Sequence, residues 1–128
     1  MQCNKEAQPL IDELGLENIL TPSDCLLYSG SRNELDILIS VNGKDPKTGV
    51  DRVGKVPAAL NTSFLCKEFP VIDLLVGAGT AGGFSNRGSQ IGDVCFSSTP
   101  LVSHDQRIEI PNFDEYGIGA QPSVEIQK

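Results

Sequence analysis

VIDLLVGAGTAGGF, residues 71–84, sets an apolar run directly against a cluster of glycines, and its reading decides the fold. Val71–Val76, broken only by Asp73, predicts a strand covered on both faces by helices. Gly77, Gly79 and Gly82 then spell G-x-G-x-x-G, the spacing of a dinucleotide-binding fingerprint. That fingerprint requires the third glycine to open a helix and an acidic residue about twenty positions on to end the following strand. Neither condition is met. Phe84 to Gly92 carries two more glycines and no helical periodicity, and Asp93 would open the next strand, not close it. Two readings survive: a turn that needs glycine for its backbone angles, or a strand end where a ligand must come so close that a Cβ would occupy its place. Ligands of open α/β sheets bind at the carboxyl ends of strands, where this loop would lie.

Outward from the loop, the chain alternates strand and helix patterns. KEAQPLIDEL (5–14) has Ala7, Leu10, Ile11 and Leu14 on one helix face, Pro9 admissible in the first turn and Gly15 as a stop. CLLYSG (25–30) and LDILISV (35–41) read as a hairpin around the polar SRNE, and NGKDPKTG (42–49) as a loop. A helix is predicted over Asp51–Phe69, ended by Pro70, with Val53, Val56, Ala59, Leu60, Phe64 and Cys66 inward. DVCFSS (93–98) is the next expected strand. The order predicts an α/β fold.

The 128 residues form one domain at most, and a net charge of −7 disfavours nucleic acid or an anionic membrane as a partner. No apolar run is long enough for a membrane span, and MQCNKEAQPL lacks the apolar core of a signal peptide, so a cytoplasmic protein is expected. Cys3, Cys25, Cys66 and Cys95 form no C-x-x-C pair; the last three sit in apolar runs and read as buried small hydrophobes. Cys3 is not assigned. His104 and Asp105 lack a second His or Cys nearby, which favours a hydrogen-bonded loop anchor over a metal site.

Several motifs in order give a more specific reading. VGAGTAGGF (76–84) is followed by IGDV (91–94), HDQRI (104–108) and FDEYG (113–117), and preceded by GVDRVGKVPAAL (49–60), with Met1-Gln2 and EAQPL (6–10) at the start. Together they resemble the plant-type methylthioadenosine/S-adenosylhomocysteine nucleosidases of the purine nucleoside phosphorylase superfamily. The resemblance covers residues 1–119, read as the N-terminal part of a three-layer α/β domain with a mixed central sheet, incomplete at both ends; residues 120–128 form a polar tail. It implies cleavage of the adenine–ribose bond of methylthioadenosine, with S-adenosylhomocysteine as a second candidate substrate, in methionine salvage, by water and without a cofactor or metal. The transition state would be an oxocarbenium-like sugar, needing a carboxylate to aim water at the anomeric carbon. Glu6 aligns with that carboxylate, although two extra residues separate it from the Met-Gln pair; read by itself it is a first-turn glutamate favoured by the helix dipole.

The same resemblance implies that Thr80, Ala81 and Gly82 lie beneath the adenine and ribose, and that Asp51–Lys55 approach the thio-substituent. Arg52 and Lys55 read more simply as solvated cations, and phosphorolysis is not expected. Phe113, Tyr116 and Gly117 align with a loop at the homodimer contact. Family members are about twice as long, and their other half would supply the acid that protonates adenine and the Met-Glu pair that grips ribose. The 128 residues are therefore expected to be impaired as an enzyme. The alternative is a non-catalytic relative, storage-like or an assembly partner, keeping a partial nucleoside pocket.

Overall fold

A computed structural model of the chain describes residues 4–21, 24–97, 102–104, 110, 111, 113 and 118–120. Two compact units divide at Gly82 and Gly83. The first begins with helix α1 (Asn4–Leu14), in which Ala7 and Ile11 are buried and Leu14 partly so. Leu10, expected inward, stays 41% exposed, because the covered stripe runs through 7, 11 and 14. Pro9 lies beyond the first turn, where it deletes the amide that would bond the Lys5 carbonyl. The helix stops as its sequence requires. Gly15 turns left-handed at φ 62, its N–H donates to the Asp12 carbonyl at 3.2 Å, and the Leu16 N–H donates to that of Ile11 at 3.0 Å. This paired bonding closes a helix C-terminus, and Leu16 and Ile11 pack together in the core, the apolar contact that accompanies it.

Strands β1 (Glu17–Ile19), β2 (Leu26–Arg32) and β3 (Leu35–Val41) form an antiparallel sheet in chain order. The hairpin predicted over 25–41 is present, with a tighter turn than SRNE. Only Asn33 and Glu34 lie outside the ladder, at φ 52 and 65, because two left-handed residues match the twist of paired strands. The register places Leu26 opposite Val41, Tyr28 opposite Ile39 and Gly30 opposite Ile37 on one face, which packs against Ala7, Ile11 and Leu16 of the α1 region. Side chains alternate across a strand, so Leu27 and Ser40 face the other way.

That second face receives helix α2 (Lys55–Glu68). The result is helix, sheet, helix: three layers. The covered stripe of α2 is Pro57, Ala58, Asn61, Phe64 and Leu65. Of the predicted face only Phe64 is partly covered: Ala59 and Cys66 are exposed, and Val53, Val56 and Leu60 are 62, 71 and 68% exposed. The cause is polar. Ser40 Oγ donates to Asn61 Oδ1 at 2.6 Å, Asn61 Nδ2 to Asn42 Oδ1 at 3.1 Å, and Asn42 Nδ2 to the Arg52 carbonyl at 3.1 Å. Buried amides must be paired, and this chain of bonds rotates α2 to bring Asn61 onto the sheet. Asp51 to Gly54 are not helical, contrary to the prediction from Asp51: Asp51 bridges to Lys44, and Gly54, at φ 109, breaks the path.

In the intervening loop, Asp45 Oδ1 accepts from the N–H groups of Lys47 and Thr48 and from the Thr48 hydroxyl, at 3.0, 2.8 and 2.9 Å. Those bonds, the Thr48 amide foremost, hold the Asp45 carboxyl below the ordinary aspartate range.

No strand forms over 71–76 or over 93–97, where two were predicted. A strand exists only through a hydrogen-bonded neighbour, and none of the described strands pairs with either segment. In the second unit a short 3₁₀ turn, η1 (Ser85–Arg87), is closed by Gly88 at φ 91, and the Arg87 guanidinium lies 5.5 Å from the Phe84 ring centre. Strands β4 (Val102–His104) and β5 (Ile118–Ala120) pair antiparallel, His104 opposite Ile118. Cys25 is buried as expected, whereas Cys66 and Cys95 are exposed, on the outer side of α2 and in the unpaired 93–97 segment. Cys3 lies outside the described residues.

Candidate functional site

Glu6 occupies the first turn of α1, half-buried, and Thr80 lies in the glycine loop 74 residues later. The fold brings them together: the Thr80 hydroxyl donates to Glu6 Oε1 at 2.7 Å. A hydroxyl that donates to a carboxylate keeps its own lone pairs available for a donor such as a sugar hydroxyl. It also fixes one carboxylate oxygen of Glu6 in place. The pair thus sets a carboxylate and a hydroxyl oxygen side by side, a polar edge suited to a polyhydroxyl ligand. Glu6 also keeps its favourable place at the helix N-terminus.

The glycines beside Thr80 behave differently from the rest. Among the described residues, a Cβ added at Gly77, Gly79 or Gly82 would meet nothing beyond its chain neighbours within 4 Å, and none of the three has a left-handed φ. Conformational necessity is thereby removed as the explanation for glycine at these positions. At Gly43 the case is opposite: φ is +74 and a Cβ would collide with the Asp24 carbonyl. Ala81 and Gly82 continue the exposed loop, which ends the first unit.

Arg52 does not stand free for an anion. Its Nη1 is 2.7 Å from Asp24 Oδ2, an ion pair that closes one side of a cleft of about 240 Å³ lined by Cys25, Asn42, Val56, Pro57, Leu60 and Asn61 as well. Glu6 and Thr80 do not line it. Sequence reasoning missed Asp24, Asn42 and Asn61. The available signal was Asn61 itself, a poor helix former set amid apolar neighbours, which implies a buried partner. Among the described residues no three His, Cys, Asp or Glu side chains gather to hold a metal ion, and no helix is long and apolar enough to cross a membrane. His104 lies on β4 and Phe113 is half-buried; Asp105, Tyr116 and Gly117 lie outside the described residues.

No family model matches the chain. It is 44% identical over 122 residues to a 5'-methylthioadenosine/S-adenosylhomocysteine nucleosidase of Arabidopsis thaliana, covering 90% of this chain and 46% of that protein. A 5'-methylthioadenosine nucleosidase of the same plant is 42% identical over 120 residues, with 89% and 44% covered. The solved apo form of Arabidopsis thaliana 5'-methylthioadenosine nucleosidase matches with a TM-score of 0.83 at 38% identity, over 94% of this chain and 50% of that one. The chain spans about half the length of the curated relatives it matches. Its fold is thus of the α/β, nucleoside-phosphorylase-like class, in part. Within that class the resemblance carried by the VGAGTAGGF and GVDRVGKVPAAL motifs stands: the chain is similar to the plant-type methylthioadenosine/S-adenosylhomocysteine nucleosidases over nearly all of its residues.

Proposed function

We propose that the chain carries the water-activating side of an adenine-nucleoside site and that the reaction it serves is hydrolysis of methylthioadenosine. In this reading Glu6 accepts a proton from water as the water oxygen bonds to the anomeric carbon. The bond from that carbon to the adenine nitrogen breaks, its electron pair leaves with adenine, and adenine takes up a proton. Thr80 holds the Glu6 carboxylate in position, and Ala81 and Gly82 offer bare backbone to the nucleoside. The observation that carries the proposal is the 2.7 Å Thr80–Glu6 hydrogen bond, which joins two residues singled out by separate motifs. The open surroundings of Gly77, Gly79 and Gly82 support it.

The acid that protonates adenine is assigned, by the same resemblance, to the part of the relatives that this chain does not span. Without that acid, turnover is expected to fall by about 10²–10⁴-fold. Cytoplasmic location, a homodimer and a place in methionine salvage belong to the same proposal. It is tested by titrating methylthioadenosine into the purified chain and assaying adenine release. Binding is expected, with Glu6→Gln removing residual turnover while leaving affinity within about threefold, a change under 1 kcal/mol. Thr80→Val is expected to lower both. Absence of binding, or equal turnover by the Glu6→Gln variant, would overturn the assignment.

A further inference from the structure

The cleft beside α2 sets two opposite charges against a hydrocarbon wall. Arg52 and Asp24 close one side, 2.7 Å apart, and Val56, Pro57 and Leu60 supply apolar lining. Neither charge is needed to hold its backbone. The Arg52 N–H donates to the Gly43 carbonyl at 2.9 Å and the Arg52 carbonyl accepts from Asn42 Nδ2 at 3.1 Å, so the segment is fixed without the guanidinium. The Asp24 side chain is 77% exposed, and an ion pair so open to water contributes little to stability. Among the described residues the two meet through Arg52 Nη1 and Asp24 Oδ2, which leaves Nη2, Nε and Oδ1 to a ligand.

The paired charges select the ligand. A lone anion would be opposed by Asp24 and a lone cation by Arg52, whereas a group carrying both charges close together can engage each with a charge-assisted hydrogen bond. The volume of about 240 Å³ falls below the range of about 300–1,000 Å³ usual for drug-sized ligands, so a whole nucleoside does not fit and a short arm does. We propose that this cleft binds an α-amino-acid group with a short uncharged side chain. Its carboxylate lies on the Arg52 guanidinium, its ammonium on the Asp24 carboxylate, and its aliphatic or thioether chain along Val56, Pro57 and Leu60. Two sources present that chemistry: a free amino acid, or the homocysteinyl arm of a nucleoside such as S-adenosylhomocysteine.

The test is a calorimetric titration of L-methionine into the purified chain, with glycine as the probe that keeps both charges and lacks the arm. Methionine is expected to bind at least about tenfold more tightly than glycine. Arg52→Gln, Asp24→Asn and Leu60→Asp are each expected to weaken methionine at least about tenfold and to leave the far-ultraviolet circular dichroism of the chain unchanged. S-Adenosylhomocysteine and methylthioadenosine, which share the nucleoside and differ in the arm on sulfur, then separate the sources. Displacement of methionine by the first and not the second assigns the cleft to the arm of a nucleoside; displacement by neither assigns it to a free amino acid. No nucleoside enters the methionine titration, so a failure of the methylthioadenosine reading leaves its result standing. The proposal is overturned if methionine does not bind at millimolar concentration, binds no more tightly than glycine, or binds the three variants as tightly as the parent.

Discussion

Replacing Gly79 by alanine separates a glycine kept for a ligand from one kept for the fold. Beyond its chain neighbours, no described residue lies within 4 Å of the added methyl, and the φ of Gly79 is not left-handed. Alanine should therefore cost nothing in the folded state and, by restricting the unfolded chain, add up to about 1 kcal/mol of stability. Gly43→Ala is the opposing control. Its left-handed φ of +74 would cost about 1–2 kcal/mol. The collision with the Asp24 carbonyl, rigid backbone on both sides, would add about 1–3 kcal/mol more. Gly49→Ala, at φ +70 with open space around it, isolates the conformational part, about 1–2 kcal/mol. Urea denaturation of the three variants should rank them Gly79, Gly49, Gly43 from most to least stable. Titration of methylthioadenosine should show the reverse importance of Gly79: an affinity loss of at least about tenfold, or 1.4 kcal/mol. If Gly79→Ala is destabilised as much as Gly43→Ala, or binds the nucleoside as tightly as the parent, the bare-backbone reasoning is refuted.

Three further outcomes are expected. Asn61→Ala leaves the buried Asn42 Oδ1 without its Asn61 donor and removes one acceptor of the Ser40 hydroxyl, and should cost about 1–3 kcal/mol in denaturant titration. Glu34→Gly relieves a left-handed φ of 65 and gives the hairpin an Asn-Gly turn, raising stability by about 0.5–1 kcal/mol, measurable as a higher melting temperature. Because the Asp45 carboxyl titrates below its unfolded value, its contribution to the 45–48 turn is present above the ordinary aspartate range and is lost as pH falls through the lowered one. A nuclear magnetic resonance titration should show the Thr48 amide shift following that transition, and Asp45→Asn should abolish it.

The parts of the fold that were legible are those whose stabilising partners lie close in sequence. Helix α1 and its Gly15 stop follow from apolar spacing and a left-handed cap, and the β2–β3 hairpin from two apolar runs flanking a polar turn. The turn shrank to Asn33-Glu34 because strand pairing claims every residue it can, Ser31 and Arg32 included. Strand β1 is only three residues long and carries no periodicity to read. Residues 71–76 mislead for a deeper reason: composition reports what a segment is suited to become, while a strand also needs a neighbour. The inward face of α2 is only partly legible, through Phe64, because hydrophobicity is not the only force orienting a helix and Asn61 outweighs Val56 and Leu60. At the candidate site, Glu6 and Thr80 were each recognisable from their motifs, yet their contact spans 74 residues and no local pattern encodes it.

The Ser40–Asn61–Asn42 trio has a consequence for how the region near the cleft tolerates change. An oily interface permits a helix to slide or roll at small expense, whereas hydrogen bonds weaken steeply with misalignment and so act as an index pin. With α2 keyed in this way, its outward surface is at liberty to vary in shape and chemistry. The backbone leading into it, gripped at the Arg52 carbonyl, would still arrive at the same spot each time the protein folds.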